Sequence, residues 1–208
     1  MKFPRFRRPV SELINWMWER VTWRGIIFPG DRRARRFGAF GDGSLIGFPT
    51  GTIYGEKYMH VGSNTIFADH VTLSVGMIPG QEMVSDPVLS IGDDCVIGRG
   101  NAIVSHFRID IGDGVYTGMN VYITDQNHTY DDIDTPIGRQ HPVDEPVRIG
   151  SGSWIGSGAI ILPGADIGEH VVVAANSVVR GTIPANSVVA GVPAKVVRQH
   201  DGEAWSRP

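Results

Sequence analysis

From Val61 to Val189 an aliphatic residue recurs at every sixth position, a small residue follows it, and four mostly polar positions complete the unit. The pattern reads Val61-Gly62, Phe67-Ala68 and Leu73-Ser74, then Ile91-Gly92, Ile97-Gly98 and Ile103-Val104. It resumes with Ile111-Gly112, Thr117-Gly118 and Ile123-Thr124, and again with Ile149-Gly150, Ile155-Gly156, Ile161-Leu162, Ile167-Gly168 and Val173-Ala174, after which Val179 keeps the spacing. A period of six is neither the helical recurrence near 3.6 nor the strand alternation of two. It predicts short strands joined by tight corners and wound into a coil, each aliphatic lying under its counterpart from another coil. With three units per triangular coil, the rise per coil equals the ~4.8 Å spacing of paired strands. One inward residue per unit is expected. Gly, Asp, Asn and Ser recur between the aliphatics because they tolerate the backbone angles of corners. A β-sandwich also has short strands, but no reason to hold one period over so many units.

Composition fits this all-β solenoid as one domain. The 27 glycines suit many corners, and 41% hydrophobic residues suffice for a core. The lone Cys95 has no partner for an intrachain disulfide and reads as a spectator within a hexad. No apolar run approaches a membrane span and no signal-peptide core opens the chain, so the cytoplasm is the expected compartment.

Charge divides the chain unevenly. Residues 1–36 hold ten Lys or Arg against three Asp or Glu, about +7, while the remainder carries about −10. Between two basic runs, Val10, Leu13, Ile14, Met17 and Val21 follow helical spacing after Pro9 and a candidate N-cap at Ser11, with Trp16, Trp18 and Trp23 around them. Such an amphipathic helix has two readings that can coexist. It caps the open first coil, or it meets the inner face of a membrane as a peripheral contact. No base-reading motif accompanies the charge, so nucleic acid is not an expected partner.

The hexads are interrupted at Val75–Val88 and at 125–148, and long excursions from a regular scaffold are where function concentrates. The second opens with Asp125-Gln126-Asn127-His128-Thr129-Tyr130-Asp131-Asp132. His128 is the best general-base candidate, because imidazole exchanges a proton near neutral pH. Asp125, Asp131 and Asp132 are candidates to orient it. His106 falls where two extra residues lengthen the step from Ile103 to Ile111, which predicts a corner projecting it toward a cleft.

Several motifs then occur together in order: the hexads, the Asp125–Tyr130 segment, Trp154-Ile155-Gly156, Ile161-Leu162-Pro163-Gly164, Ala175-Asn176-Ser177-Val178-Val179, and Ala190-Gly191-Val192-Pro193-Ala194-Lys195. Over roughly residues 50–199 the chain resembles the hexapeptide-repeat acyltransferases. It is most similar to the branch of maltose and galactoside O-acetyltransferases and polysaccharide-biosynthesis O-acetyltransferases. The first 50 residues do not resemble the short helical start of the sugar enzymes. The resemblance implies a left-handed parallel β-helix over 51–199, while charge and polarity predict an N-terminal arm or cap over 1–50 and a mobile tail over 200–208. It implies a homotrimer with clefts between subunits, acetyl-CoA or another acyl-CoA as cosubstrate, no metal, and a sugar or glycoconjugate acceptor. His128 matches the family's base. Asn101, His106, Asp125, Asn127 and Tyr130 fall on the acceptor side. Trp154, Ser157 and Ala175 fall along the thioester and pantetheine, and Arg180, Lys195 and Arg198 near the CoA phosphates, where cations suit anionic oxygens. Two other classes share the coil: a metalloenzyme of the γ-carbonic anhydrase kind, and a noncatalytic trimeric scaffold.

Overall fold

The structure is a computed structural model that describes residues 7–207. Strands of mostly two to four residues stack into three parallel sheets, and the chain visits them in strict rotation. These sheets are faces I, II and III of a triangular coil. On face I the register aligns Val61, Ile91, Ile111, Ile149, Ile167 and Ile183. On face II it joins Ile46 to Phe67 and Phe67 to Ile97, and later Ile155 to Val173 and Val173 to Val189. On face III it aligns Ile53, Leu73, Ile103, Ile123, Ile161 and Val179. The hexad aliphatics therefore form three stacked columns, and burying each Ile contributes roughly 1.5–3 kcal/mol.

The expected single inward residue per hexad is corrected to two. The position two residues before most of these aliphatics is also buried. On faces II and III it is small or polar, as at Val71, Cys95, Val115, Ala159 and Val171, with Ser44, Thr65, Asn101, Ser153, Ser177 and Ser187, whereas on face I it is Met59, Leu89, Ile109 and Val147 before Ala165. The triangular interior takes one large and one small side chain on faces II and III, and two aliphatic side chains on most strands of face I. The polar members survive there because they bond the backbone of the coil. Thr65 Oγ1 donates to the Gly92 carbonyl at 2.8 Å, and Ser153 Oγ accepts from the Val171 amide at 3.1 Å.

Corners carry left-handed backbone. Non-glycine residues adopt it at Asn64, His70, Asp94, Asn120, His170, Asn176 and Asn186, so two of the histidines are corner residues. At the edge between faces II and III the coils touch backbone to backbone: a Cβ on Gly156 would lie 2.6 Å from the Ala175 nitrogen. Asn176 N donates to the Ser157 carbonyl at 2.9 Å, stacking those two corners.

Both ends differ from the sequence expectation. The coil begins within the 1–50 segment, since Ala39–Phe40 and Leu45–Ile46 already pair on faces I and II. The helix spans Arg7–Gly25, starting before Ser11, with Pro9 in the first turn where its missing N–H costs nothing. Its apolar stripe is exposed and does not cap the coil. The segment after it does: Ile27 exchanges two backbone hydrogen bonds of 3.0 Å with Ile46, and Ile27, Ala34 and Phe37 are buried. At the other end, Ala194–His200 folds back antiparallel on Ser187–Gly191, and Trp205–Ser206 pairs with it in turn. The segment expected to be a mobile tail thus adds a strand, helped by a His200–Trp205 ring contact at 5.3 Å. No helix of the described residues is long and apolar enough to cross a membrane.

Candidate active site

Apart from one extra residue between Ile46 and Ile53, the irregular insertions leave the coil at one edge. The chain passes from face III to face I through Gly76–Pro87, then through 105–108, then through 125–146, on successive coils. The longest of these is an ordered ribbon. Gln126–His128 pairs antiparallel with Pro142–Asp144, placing His128 opposite Pro142. Beyond it the Thr129 hydroxyl donates to the His141 carbonyl at 2.6 Å. Gln140 closes the tip by donating to the carbonyls of Asp132 and Thr135, both at 2.8 Å.

Asp125 ties this ribbon to the coil. It is fully buried, and its carboxylate accepts from the Ser105 hydroxyl at 2.6 Å and from the amides of His106, Phe107 and Arg108 at 2.8, 2.9 and 2.8 Å. Its own carbonyl accepts from Glu145 N at 2.8 Å, fastening the returning strand. The two extra residues after Ile103 thus form a corner wrapped around a carboxylate. That corner turns out His106, whose Nδ1 meets Gln126 Nε2; the same amide donates to Asp144 Oδ1 at 3.0 Å.

Geometry separates the expected site residues into groups. His128, Asn127 and Tyr130 are exposed on the ribbon, and half-buried His106 stands at its base. Asp125 and Asn101, expected on the acceptor side, are corrected to interior positions. Asn101 is 1% exposed, its amide donating to Thr117 Oγ1 and its oxygen accepting from Val121 N at 2.7 Å. Neither offers a free polar atom to a substrate. None of the three carboxylates weighed as an orienter bonds His128 among the described residues. Asp132 instead accepts from the Thr135 side chain and from Asp134 N, which hold its carboxyl below the usual range.

The second group gathers on face II and its border with face III. Trp154 is exposed on face II, and Ser157 and Ala175 occupy consecutive corners of the II/III edge. Lys195 and Arg198 are on the strand that extends face II, where Arg198 lines a shallow cleft with Val196, Val197 and Arg207. Arg180 lies apart, at the III/I edge. Within one subunit the ribbon histidine and the Trp154 group therefore belong to different edges of the prism. Sequence reasoning missed Ser105, Gln126 and Asp144. Only the crowding of polar types between Ser105 and Asp144 hinted at them.

Cys95 points into the coil, fully buried, with its thiol donating to the Gly112 carbonyl at 3.1 Å. Burial pushes its pKa up, so the nucleophilic thiolate is suppressed. A thiol reagent is expected to leave the folded protein unmodified and to label one cysteine after denaturation. Rapid labelling of the native state would contradict this placement.

The family model described as "Bacterial transferase hexapeptide (six repeats)" matches residues 146–181, and "Hexapeptide repeat of succinyl-transferase" matches 88–125. A probable acetyltransferase of Mycobacterium tuberculosis, Rv3034c, is 44% identical over 110 residues, which are 53% of this chain and 37% of that protein. WbbJ of Escherichia coli, a putative lipopolysaccharide biosynthesis O-acetyl transferase, is 34% identical over 150 residues, covering 68% of this chain and 76% of WbbJ. Among solved structures, AntD has a TM-score of 0.66 at 19% identity, over 81% of this chain and 86% of AntD. AntD is an N-acyltransferase from Bacillus cereus, in complex with dTDP and 3-hydroxybutyryl-CoA. That likeness is one of fold. The rotating parallel faces and six-residue columns define a hexapeptide-repeat left-handed β-helix. With WbbJ matched over most of its length, the chain belongs to the hexapeptide-repeat acyltransferase family.

Proposed function

We propose that the protein is an acyl-CoA-dependent O-acyltransferase, in the first instance an acetyltransferase, acting on a hydroxyl of a sugar, polysaccharide precursor or glycolipid headgroup. The observation that carries this reading is His128: an exposed imidazole at the end of a paired ribbon whose base is locked to the coil by Asp125. A sugar hydroxyl is a poor nucleophile until its proton is removed, and a neutral imidazole does that during attack. The hydroxyl oxygen forms a bond to the thioester carbonyl carbon as His128 takes the proton. The tetrahedral intermediate collapses with cleavage of the C–S bond, and the imidazolium returns the proton to the departing sulfur. Nothing requires an acyl-enzyme, and the buried Cys95 is unsuited to form one.

The acyl-CoA in this reading lies along face II, with its arm against Trp154, Ser157 and Ala175 and its phosphates toward Lys195 and Arg198. Since these residues and His128 occupy different edges of one prism, the complete site needs a second subunit. A closed trimer supplies it three times over, with the ribbon of one copy facing the II/III edge of the next. His106, Asn127 and Tyr130 then face the acceptor. Arg180, on another edge, fits the phosphates less well than Lys195 and Arg198. The oxygen specificity is supported by the WbbJ similarity, and the CoA chemistry by the acyl-CoA bound in AntD.

Incubation with acetyl-CoA and a panel of sugar and glycoconjugate acceptors is expected to release free thiol only with an accepted hydroxyl compound. Mass spectrometry of that acceptor is expected to show one added acetyl group. Thermal stabilisation by acetyl-CoA without transfer to any acceptor would favour a noncatalytic binding protein. Transfer to amino sugars alone would overturn the oxygen assignment.

A further inference from the structure

The N-terminal helix belongs to no part of the site above. Val10, Leu13, Ile14, Met17 and Val21 are each between 45 and 57% exposed, so the stripe that a globular fold would bury is left largely open by the described residues of the subunit. At about 100° per residue these five side chains occupy one arc, and Glu12, Asn15 and Glu19 fall on the opposite side. Trp18 borders one margin of the arc and Trp16 the other, Trp23 lies beside Glu12 on the polar side, and all three are at least half exposed. Arg20 sits on the Trp margin with its guanidinium 4.3 Å from the Trp16 ring centroid, and Arg24 lies just inside the arc.

We propose that this helix lies in the headgroup plane of an anionic lipid bilayer and holds the enzyme at the membrane surface. The aliphatic arc enters the acyl boundary, Trp16 and Trp18 sit at the interface that suits amphipathic rings, and Arg20 at the margin and Arg24 inside the arc extend their guanidinium groups to lipid phosphates. The carboxylates of Glu12 and Glu19 face water. Charge decides for anionic lipid: residues 1–36 carry about +7 on a chain whose remainder is about −10, so the arm is attracted where the body is repelled. Exposed Arg32, Arg33, Arg35 and Arg36 follow the helix and extend the same charge. A helix seam between copies is the competing occupant, since Val10, Ile14, Met17 and Val21 alternate by four and three residues. Such a seam would leave Trp16 and Trp18 in water at its two sides, whereas a bilayer interface receives them.

The test is flotation of the full chain with vesicles of mixed phosphatidylglycerol and phosphatidylcholine, against phosphatidylcholine alone. The wild type is expected to float with the anionic vesicles, less so as salt rises, with a blue shift of tryptophan emission. Leu13→Asp combined with Met17→Asp is expected to abolish flotation while leaving the thermal midpoint and acetyl transfer to a soluble acceptor unchanged, because both side chains are exposed and remote from the site. Arg20→Gln combined with Arg24→Gln removes two surface cations and is expected to weaken anionic-vesicle binding roughly 30-fold. Failure of the wild type to float, or flotation that survives the aspartate pair, overturns the proposal. So does an aspartate pair that dissociates the oligomer, which would assign the stripe to a seam between copies. None of these outcomes depends on whether the acyl-transfer reading holds, because flotation needs no turnover.

Discussion

His128→Ala is expected to lower kcat by about 10² to 10⁴, a loss of about 3–5 kcal/mol of transition-state stabilisation, while the KM for acyl-CoA changes little. The expectation follows from where the imidazole stands. It is on the ribbon, away from the face that carries Trp154, so its removal strips proton transfer from the reaction without touching the surface assigned to the thioester arm. The variant is also expected to fold normally, because the side chain is exposed and bonds nothing in its own subunit among the described residues. A His128→Ala protein that transfers acetyl at the parental rate would remove the general base from the mechanism. A variant with raised KM and unchanged kcat would make His128 a binding residue instead.

Asp125→Ala is expected to be the most damaging single change to the ribbon. One buried carboxylate serves a hydroxyl and three consecutive backbone amides; alanine leaves the three amides of a part-buried corner without this acceptor, while Ser105 Oγ keeps only the Val88 carbonyl at 3.3 Å. Each buried donor so abandoned costs about 1–3 kcal/mol, less when the structure relaxes, so a total on the order of 3–4 kcal/mol is expected. For a chain of this size that corresponds to a fall in thermal midpoint of roughly 10 °C at fixed protein concentration. Asp125→Asn keeps the shape and one acceptor oxygen, and should lose less. Activity should fall further than stability alone explains, since the 105–108 corner that presents His106 and the first residue of the ribbon that presents His128 are both held by this side chain. An unchanged midpoint in the alanine variant would show that the corner holds its shape without the carboxylate.

Much of this molecule was legible in the order of its residues. The positions assigned as inward from the six-residue period are the ones that stack, including Ile91 under Ile111 and Ile103 under Ile123. Hexads report directly on structure because each is one short strand and one corner, so its preferences are local. The second inward position was missed because its occupants, among them Ser153, Thr65 and Asn101, look like surface residues; they are tolerated inside only because neighbouring coils supply partners for them. The start of the coil was missed for a different reason. Phe40-Gly41 and Ile46-Gly47 keep the spacing, but they sit beside the basic arm, and charge drew the boundary too late.

The site was legible in part. His128 stood out because imidazole in a polar excursion is rare and chemically apt. Asp125 stood out equally, for a reason that the folded chain reverses. Its partners lie 17 to 20 residues earlier, on the preceding coil, and three of them are backbone amides that leave no mark on composition. A carboxylate in a polar segment reads as available until the coil closes over it. The helix shows the converse: its stripe reads as buried, yet the short segment around Ile27 and Phe37 already covers the open coil.

By itself, then, the sequence determined the coil, its three columns, the corners and the histidine most suited to take a proton, since all of these depend on residues within one or two hexads of each other. The tertiary structure alone decided that the long insertions leave by the III/I edge, that Asp125 and Asn101 turn inward, that the helix keeps its apolar face outside, and that His128 and Trp154 stand on different edges. Those outcomes are set where separate coils meet, and contacts between coils are fixed by stacking and backbone hydrogen bonding across many residues rather than by any local pattern.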